Sequence, residues 1–241
     1  MAAYIDLHCH WLPGVDDGAP SVEEGVAMLR GLGDLGFELV IATPHMRPGL
    51  FDNDRDTLVR RFNEVAPQVA GLSSCPRIEL SSEHYFDDVV VGRLLTDRGL
   101  PYPNGHAVLL EFYDMDFPVA IDHKLAELRR HGLLPVIAHP ERYQVVWRQP
   151  EVLERLLDVG AAALLDIAAL TGKYGRRPRR TAEELLEAGL YHAACSDAHR
   201  VQDLDEVKRA MQLLAKRYGD DEIELLFDDG PRQLLEGRIP N

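Results

Sequence analysis

The chain has 241 residues, of which 46% are hydrophobic and 27% charged, and its formal net charge is −14. This is the composition of an ordinary globular protein, which excludes a disordered chain. The length suits one large domain. Because a surplus of acidic residues repels nucleic acid and anionic lipid, we expect neither of them to be a partner.

The apolar segments are short, and none approaches the ~20 residues that a membrane-spanning helix needs. Met1–Asp6 lacks the basic region that begins a secretory signal. The three cysteines, Cys9, Cys75 and Cys195, form no C-x-x-C pair, which favours a reducing compartment without disulfides. We therefore expect a cytoplasmic protein that does not insert into a membrane.

Seven short, nearly continuous apolar segments alternate along the chain with longer amphipathic ones. Such segments are typical of strands buried on both faces of a parallel sheet. The alternation predicts an α/β fold, a distorted (β/α)7 barrel of the TIM type, with an open doubly wound sheet as the alternative. The predicted strands are Tyr4–Leu7, Phe37–Ala42, Arg77–Leu80, Ala107–Phe112, Leu134–Ala138, Ala162–Ile167 and Tyr191–Cys195.

Two of the intervening segments open with a capping box, in which a hydroxyl residue is followed three positions later by glutamate. Ser21-Val-Glu-Glu24 and Thr181-Ala-Glu-Glu184 therefore predict helices that begin at these points. A further helix is predicted from about Leu204 to Tyr218, and a last one from Glu222.

Every predicted strand ends in, or is followed by, an ionisable side chain. In a β/α barrel all of these carboxyl ends lie on one face, where active sites are built. Imidazole and carboxylate together are ligands of divalent metal ions, so the pattern predicts a metal site. The residues are His8, His10, Asp17, His45, Glu83, Glu111, His139, Asp166, Asp197 and His199.

Four motifs contain most of these residues, and together they resemble the polymerase-and-histidinol-phosphatase (PHP) superfamily of metal hydrolases. They are Asp6-x-His8-x-His10, Thr43-Pro-His45, Ala138-His139-Pro-Glu-Arg142-Tyr143 and Ser196-Asp197-x-His199. The segment Leu12-Pro-Gly-Val-Asp-Asp17-Gly-Ala is similar, more specifically, to the bacterial capsule-type tyrosine phosphatases. The resemblance runs from Tyr4 to about Leu235 and implies a single PHP-type domain over residues 1–241.

The resemblance implies a metal-dependent protein tyrosine phosphatase whose substrate is the C-terminal tail of a bacterial tyrosine kinase that controls capsule or exopolysaccharide production. Arg142 matches the family arginine that binds the substrate phosphate. At the third strand Glu83, rather than the adjacent His84, falls on the ligand position. Nine residues match the ligands of a three-metal cluster: His8, His10, Asp17, His45, Glu83, Glu111, His139, Asp197 and His199.

The chemistry of these nine side chains indicates which metals fit. Five imidazoles and four carboxylates without a thiolate suit Mn²⁺, Fe or Zn²⁺ better than Ca²⁺ or Cu(I), and we expect Mn²⁺. Such ions lower the pKa of bound water to ~7, which would supply a hydroxide nucleophile at neutral pH. A cysteine mechanism is rejected, because no cysteine here begins the Cys-x₅-Arg motif that it requires.

A basic segment, Lys173–Arg180, carries five positive charges in eight positions of this acidic protein. Since it follows the sixth strand, it is expected to overhang the face that carries the predicted site. One interpretation is a contact with substrate, for which Lys173, Arg176 and also Arg47 are candidates. The other is a solvent-exposed loop before the helix at Thr181, and the sequence leaves both open.

Three other functions are compatible with the superfamily. A histidinol-phosphate-type small-molecule phosphatase is the nearest, and a nuclease relative is disfavoured by the net charge of −14. A catalytically inactive PHP scaffold is disfavoured because all nine ligand positions hold competent residues. The sequence is compatible with a homo-oligomer but contains no residue that indicates an interface.

Overall fold

The computed structural model describes residues 3–240 as parallel strands surrounded by helices. The strands are β1 (Tyr4–Cys9), β2 (Phe37–Ala42), β3 (His45–Met46), β4 (Arg77–Leu80), β5 (Glu83–Tyr85), β6 (Ala107–Glu111), β7 (Leu134–Ala138), β8 (Ala162–Asp166) and β9 (Ala193–Cys195). The helices are α1 (Val22–Asp34), α2 (Arg55–Val69), α3 (Asp88–Leu94), α4 (Ile121–Arg130), α5 (Gln144–Arg148), α6 (Glu151–Asp158), α7 (Arg176–Glu187), α8 (Asp203–Tyr218), α9 (Asp220–Glu224) and α10 (Gly230–Leu235).

All seven predicted strands are present, and two of them continue as short extensions after a break. Thr43-Pro44 separates β2 from β3, where proline has no N–H to donate to a ladder. Ser81-Ser82 separates β4 from β5, and the Ser82 hydroxyl donates to the Pro44 carbonyl at 2.7 Å. The two breaks are thus joined to each other, and the extensions β3 and β5 begin with His45 and Glu83.

The strands follow one another around a distorted β/α barrel in chain order. One parallel sheet has the order β1-β2-β4 and the other β3-β5-β6-β7-β8-β9. The last strand lies beside the first, where an isolated parallel bridge joins Cys9 to Ala198 and the Asp197 N–H donates to the His8 carbonyl at 3.0 Å. This arrangement confirms the predicted barrel-type fold in place of the open doubly wound sheet.

The strands are buried on both faces, which explains their continuous apolar character. Along β2, Leu39 and Ile41 belong to a cluster made mainly of strand residues in the barrel interior. Val40 and Ala42 belong to a second cluster, which includes helix residues such as Met28. Side chains that alternate along each strand therefore point to two faces. One face fills the barrel, and the other packs against the helices.

The helix starts agree with the sequence prediction at Ser21 but not at Thr181. Ser21 caps α1, because its side chain accepts a hydrogen bond from the Glu24 N–H at 3.3 Å. The prediction at Thr181 is wrong: α7 begins at Arg176, directly after Gly175 with its positive φ of 97°, and Thr181 is buried within it. The glutamates of the supposed box instead pair with arginines four positions earlier.

Helix α8 confirms the prediction from about Leu204 to Tyr218, and the last predicted helix starts at Asp220 rather than Glu222. Differences of one or two residues at a helix end are ordinary. Within residues 3–240, no helix is both long enough and apolar enough to cross a bilayer.

Candidate active site

The structure brings all nine predicted ligands together at the carboxyl ends of the strands. They form four overlapping groups, and within each group the potential ligand atoms lie within 4.8 Å of one another. His8, His10, His45 and Glu83 each belong to two groups, so the groups make one continuous cluster. The groups are His10, Asp17, His45 and His199; His8, His10 and Asp197; His8, Glu83 and His139; and His45, Glu83 and Glu111.

Two of these residues have a backbone conformation that residues other than glycine rarely adopt. His139, after β7, has φ 35° and Asp197, after β9, has φ 43°, both in the left-handed region. Such conformations cost on the order of 1–3 kcal/mol each and persist only where the surroundings impose them. Here the N–H of His139 donates to Leu164 O at 2.9 Å and that of Asp197 to His8 O at 3.0 Å. Neighbouring strands thus hold both side chains at the cluster.

The donor atoms themselves show that the cluster fits metal ions. His8 Nε2 lies 2.9 Å from Asp197 Oδ1, yet the two are not aligned for a hydrogen bond. Unpaired buried polar atoms are costly, and convergence on shared ions accounts for them. Five such atoms in the cluster have no hydrogen-bond partner among residues 3–240: His8 Nε2, His10 Nε2, Glu111 Oε2, His139 Nδ1 and Asp197 Oδ1.

The electrostatics of the cluster point the same way. Burial opposes the ionisation of Glu83, but its interactions with His8 and His45 hold its pKa well below the usual range. Burial and the charge of Glu83 raise the pKa of Glu111 to about 7. The crowded carboxylates therefore depend on nearby positive charge, which divalent cations would supply.

Residues beyond the nine orient the ligands, as carboxylates and hydroxyls commonly do around metal-binding histidines. Asp16 Oδ2 lies 2.8 Å from His10 Nδ1 and also accepts from the His45 N–H at 3.1 Å. Thr43 Oγ1 lies 3.1 Å from His8 Nδ1. The two contacts on Nδ1 atoms leave the Nε2 atoms of His10 and His8 facing the cluster. No sequence pattern indicated these roles, although Asp16 and Thr43 both lie in the quoted motifs.

The loop that carries Asp17 is held tightly against the first strand. A Cβ atom on Gly18 would lie 2.1 Å from the His10 carbonyl oxygen, so only glycine fits there. Arg200 Nη1 donates to the carbonyls of Asp17 at 2.6 Å and His199 at 2.8 Å, and to that of Gly18. Arg200 therefore joins the backbone of two residues of the cluster, Asp17 and His199, a role that no local pattern indicated.

His84 lies outside the cluster, in agreement with the choice of Glu83 at this position. Its Nδ1 donates to Leu109 O at 3.0 Å and its Nε2 accepts from the Leu100 N–H at 3.0 Å. Burial lowers the pKa of His84 to about 4, so the ring is neutral. Adjacent residues on a strand point to opposite faces, which gives Glu83 to the cluster and His84 to the packing.

Arg142 lies at the edge of the cluster on a short turn, Pro140–Arg142. Its Nη1 is 2.5 Å from Asp197 Oδ2 and 3.7 Å from Asp166 Oδ2, and its guanidinium lies 4.6 Å from the centre of the Tyr174 ring. Although burial opposes the charge, Asp197 and Asp166 raise the pKa of Arg142 further above its usual range. Asp166, which the strand-end pattern included, thus contacts Arg142 and belongs to none of the four groups of the cluster.

Glu141 braces the same turn from within the protein. It is fully buried, its Oε1 accepts from the Asp166 N–H at 3.1 Å, and its Oε2 accepts from the Tyr191 hydroxyl at 2.9 Å. Burial and the charge of Asp166 raise the pKa of Glu141 to about 8. These bonds fix the backbone that carries Arg142.

The three candidate substrate contacts have different surroundings. Arg47 stacks on the Tyr85 ring at 4.1 Å and lies 3.9 Å from Glu111 Oε2, at the border of the cluster. Lys173 pairs with Asp203 at 2.9 Å, and Asp203 also accepts from the His199 N–H. Arg176 is exposed at the start of α7, and no acidic side chain within residues 3–240 pairs with it.

Known proteins are similar to this chain over nearly its whole length. A family model described as "Capsular polysaccharide synthesis, CpsB/CapC" matches residues 4–236. The tyrosine-protein phosphatase YwqE of Bacillus subtilis (strain 168) is 30% identical over 240 residues, which cover 97% of this chain and 92% of YwqE. The tyrosine-protein phosphatase CpsB of Streptococcus pneumoniae is 26% identical over 241 residues, which cover 98% of this chain and 99% of CpsB.

Solved structures show the same relationship to YwqE and CpsB. One reported for YwqE from Bacillus subtilis and CpsB from Streptococcus pneumoniae, described as unique metal-dependent tyrosine phosphatases, matches with a TM-score of 0.88 and 28% identity, over 98% of this chain and 96% of the other. A phosphotriesterase homology protein from Escherichia coli, at a TM-score of 0.55 and 13% identity, shares the fold alone. The resemblance found in the motifs is confirmed. The chain belongs to the CpsB/CapC family of capsular polysaccharide synthesis proteins.

Proposed function

We propose that this chain is a metal-dependent protein tyrosine phosphatase, a hydrolase that cleaves the phosphate ester of phosphotyrosine in a protein. The observation that carries the proposal is the convergence of nine metal-competent side chains beside Arg142. The chain shares its family with YwqE and CpsB, which are named as tyrosine phosphatases.

The cluster would hold the metal ions through the five histidines and four carboxylates described above, and Mn²⁺ is the ion we propose for a three-metal site, with Fe or Zn²⁺ as alternatives. When bound, such ions supply positive charge for the phosphoryl oxygens and an activated water. Asp16 and Thr43 hold the imidazoles of His10 and His8 in the orientation this requires.

Arg142 is the residue to which we assign phosphate binding. A guanidinium offers two parallel N–H donors to a phosphoryl group, and preorganised donors stabilise the charge that develops during transfer. Contacts with Asp197 and Tyr174 hold this side chain in place, while 32% of it stays exposed. The phenol of tyrosine has a pKa of about 10, so its phenolate leaves with less proton assistance than a serine alkoxide.

The partner we propose is the phosphotyrosine-bearing C-terminal tail of a bacterial tyrosine kinase that controls capsule or exopolysaccharide production, in the cytoplasm. The family description, capsular polysaccharide synthesis, supports this context. Arg176 and Arg177 are exposed at the start of α7 and would attract an acidic tail. We propose that residues 1–241 form one catalytic domain.

The test is hydrolysis by metal-stripped protein with and without added Mn²⁺, on a phosphotyrosine peptide and on histidinol phosphate. Mn²⁺-dependent turnover that favours the peptide is expected. Turnover of histidinol phosphate alone would replace the proposal by a small-molecule phosphatase. Metal binding without turnover of either substrate would favour a scaffold.

A further inference from the structure

A small cavity opens beside the cluster on the side of Arg142. Its volume is about 260 Å³, and its lining includes Glu111, His139 and Arg142. A phosphoryl group bound at Arg142 would lie at the edge of the cavity, because Arg142 is one of its lining residues. The part of the substrate that carries the phosphate would therefore enter the cavity itself.

The floor of this cavity is aromatic and rigid. Phe112 and Tyr143 both line it, and both are nearly fully buried. Their rings meet edge to face with centroids 5.9 Å apart, and the Phe112 N–H donates to the Tyr143 hydroxyl at 3.1 Å. The floor is thus set before any ligand arrives.

Two partly exposed rings, Tyr174 and Trp147, also line the cavity, together with Asp114 and Pro178. Tyr174 lies against the guanidinium of Arg142 at 4.6 Å. Trp147 donates its indole N–H to the Glu141 carbonyl at 2.5 Å. Trp147 is therefore bonded to the turn that presents Arg142, and Tyr174 lies against the guanidinium itself, so both rings lie beside the proposed phosphate position.

We propose that Trp147 and Tyr174 form an aromatic subsite that holds the phenyl ring of phosphotyrosine and makes the enzyme prefer aryl to alkyl phosphates. This inference rests on the proposed function and names how that site recognises its substrate. The volume lies just below the about 300 Å³ at which small-molecule pockets usually begin. It therefore suits one aromatic side chain, and offset or edge-to-face ring pairs stabilise such contacts.

The test measures calorimetric binding of phenylphosphonate and methylphosphonate to the full, Mn²⁺-loaded chain. The wild-type protein is expected to bind phenylphosphonate more tightly. Trp147→Leu should reduce that preference about three- to tenfold while methylphosphonate binding stays unchanged. Trp147→Phe keeps a ring but loses the indole N–H, so it should retain most of the preference. Tyr174→Phe should retain it too, and Tyr174→Leu should reduce it.

The matched control is Tyr113→Leu, because Tyr113 follows Phe112 but is 56% exposed and does not line the cavity. This variant should keep the preference. Equal weakening of both phosphonates in Trp147→Leu, or an unchanged preference, would overturn the subsite, as would a wild-type protein without preference. Because binding is measured without turnover, these outcomes are separate from failure of the proposed activity, which the peptide assay reports.

Discussion

The barrel interior and the face at the carboxyl ends of the strands differ in what they bury. In the barrel interior, side chains such as Leu7, Leu39 and Ile41 pack in an apolar cluster. At the carboxyl ends, the same strands bury imidazoles and carboxylates with unpaired atoms, and two residues there have positive φ. The apolar interior stabilises the fold. The face at the carboxyl ends instead contains strained backbone and crowded carboxylates, whose negative charge bound metal ions would offset. The proposed metal site therefore depends on the free energy of unfolding that the apolar interior of the same strands provides.

The largest effect is expected for His139→Ala, which removes a proposed ligand from the face. The variant should lose bound metal, and turnover of the phosphotyrosine peptide should fall by more than the about 10- to 100-fold typical of residues that only support a ligand. Metal analysis of the purified protein and steady-state kinetics measure this. His84→Gln is the control, since His84 is equally buried but bonds away from the cluster, and its folded protein should keep its metal. A full metal content in His139→Ala would contradict the ligand set.

Arg142→Ala should separate phosphate binding from metal binding. Removal of one preorganised donor group typically lowers kcat about 100- to 1000-fold, while the metal content should stay at the wild-type level. Arg142→Lys keeps the charge without the planar fork and should recover only part of the activity. Unchanged turnover in Arg142→Ala would remove the assigned role.

Ile41→Ala tests the apolar interior of the barrel. Ile41 is fully buried in the barrel interior, and such truncations cost about 2–5 kcal/mol of unfolding free energy. Urea unfolding of the metal-stripped protein measures this loss, and the folded variant should still bind wild-type amounts of metal. Metal loss without a loss of stability would show that the apolar interior and the metal-binding face do not have separate roles.

Arg200→Met should weaken metal binding without unfolding the protein. Arg200 is exposed and bonds the backbone carbonyls of Asp17, Gly18 and His199. Because two of these residues are proposed ligands, metal affinity should fall about tenfold, as titration calorimetry would measure. The unfolding free energy of the metal-stripped variant should match the wild type. Equal metal affinity in both proteins would leave Arg200 without a positioning role.

The smallest effect is expected for the pH dependence of stability at His192, away from the face. Its Nδ1 accepts from the Ala163 N–H at 3.1 Å, and burial lowers its pKa below the ordinary value of 6.5. The unfolded chain therefore binds more protons at low pH, and this contribution to stability is lost as the pH falls below about 6.5. His192→Asn keeps an acceptor that does not titrate. Between pH 7.5 and 5.5 it should lose less unfolding free energy than the wild type, and equal losses would contradict the assignment.

The helix beginning at Arg176 shows where local patterns mislead. Thr181-Ala-Glu-Glu184 has the form of a capping box, but Gly175 already allows the chain to turn and start the helix. Arg179 and Arg180 then pair with Glu183 and Glu184 one turn later. The same four-residue motif can stand at the start of a helix or inside one. The backbone conformation of the residues before it decides which.

The sequence by itself determined the strand segments and the chemical types at their carboxyl ends, because apolar periodicity and strand-end position are local properties of the chain. The resemblance of the motifs already indicated Glu83 and Asp17 as the ligand positions. Only the tertiary structure decided what their neighbours do, since His84 bonds to backbone atoms away from the cluster and Asp16 contacts His10. It also decided which side chains meet from distant segments, as Arg200 meets the Asp17 loop and as Trp147 and Tyr174 flank one cavity. The physical reason is that the direction of a side chain depends on strand register and loop closure, and contacts between residues far apart in sequence set both.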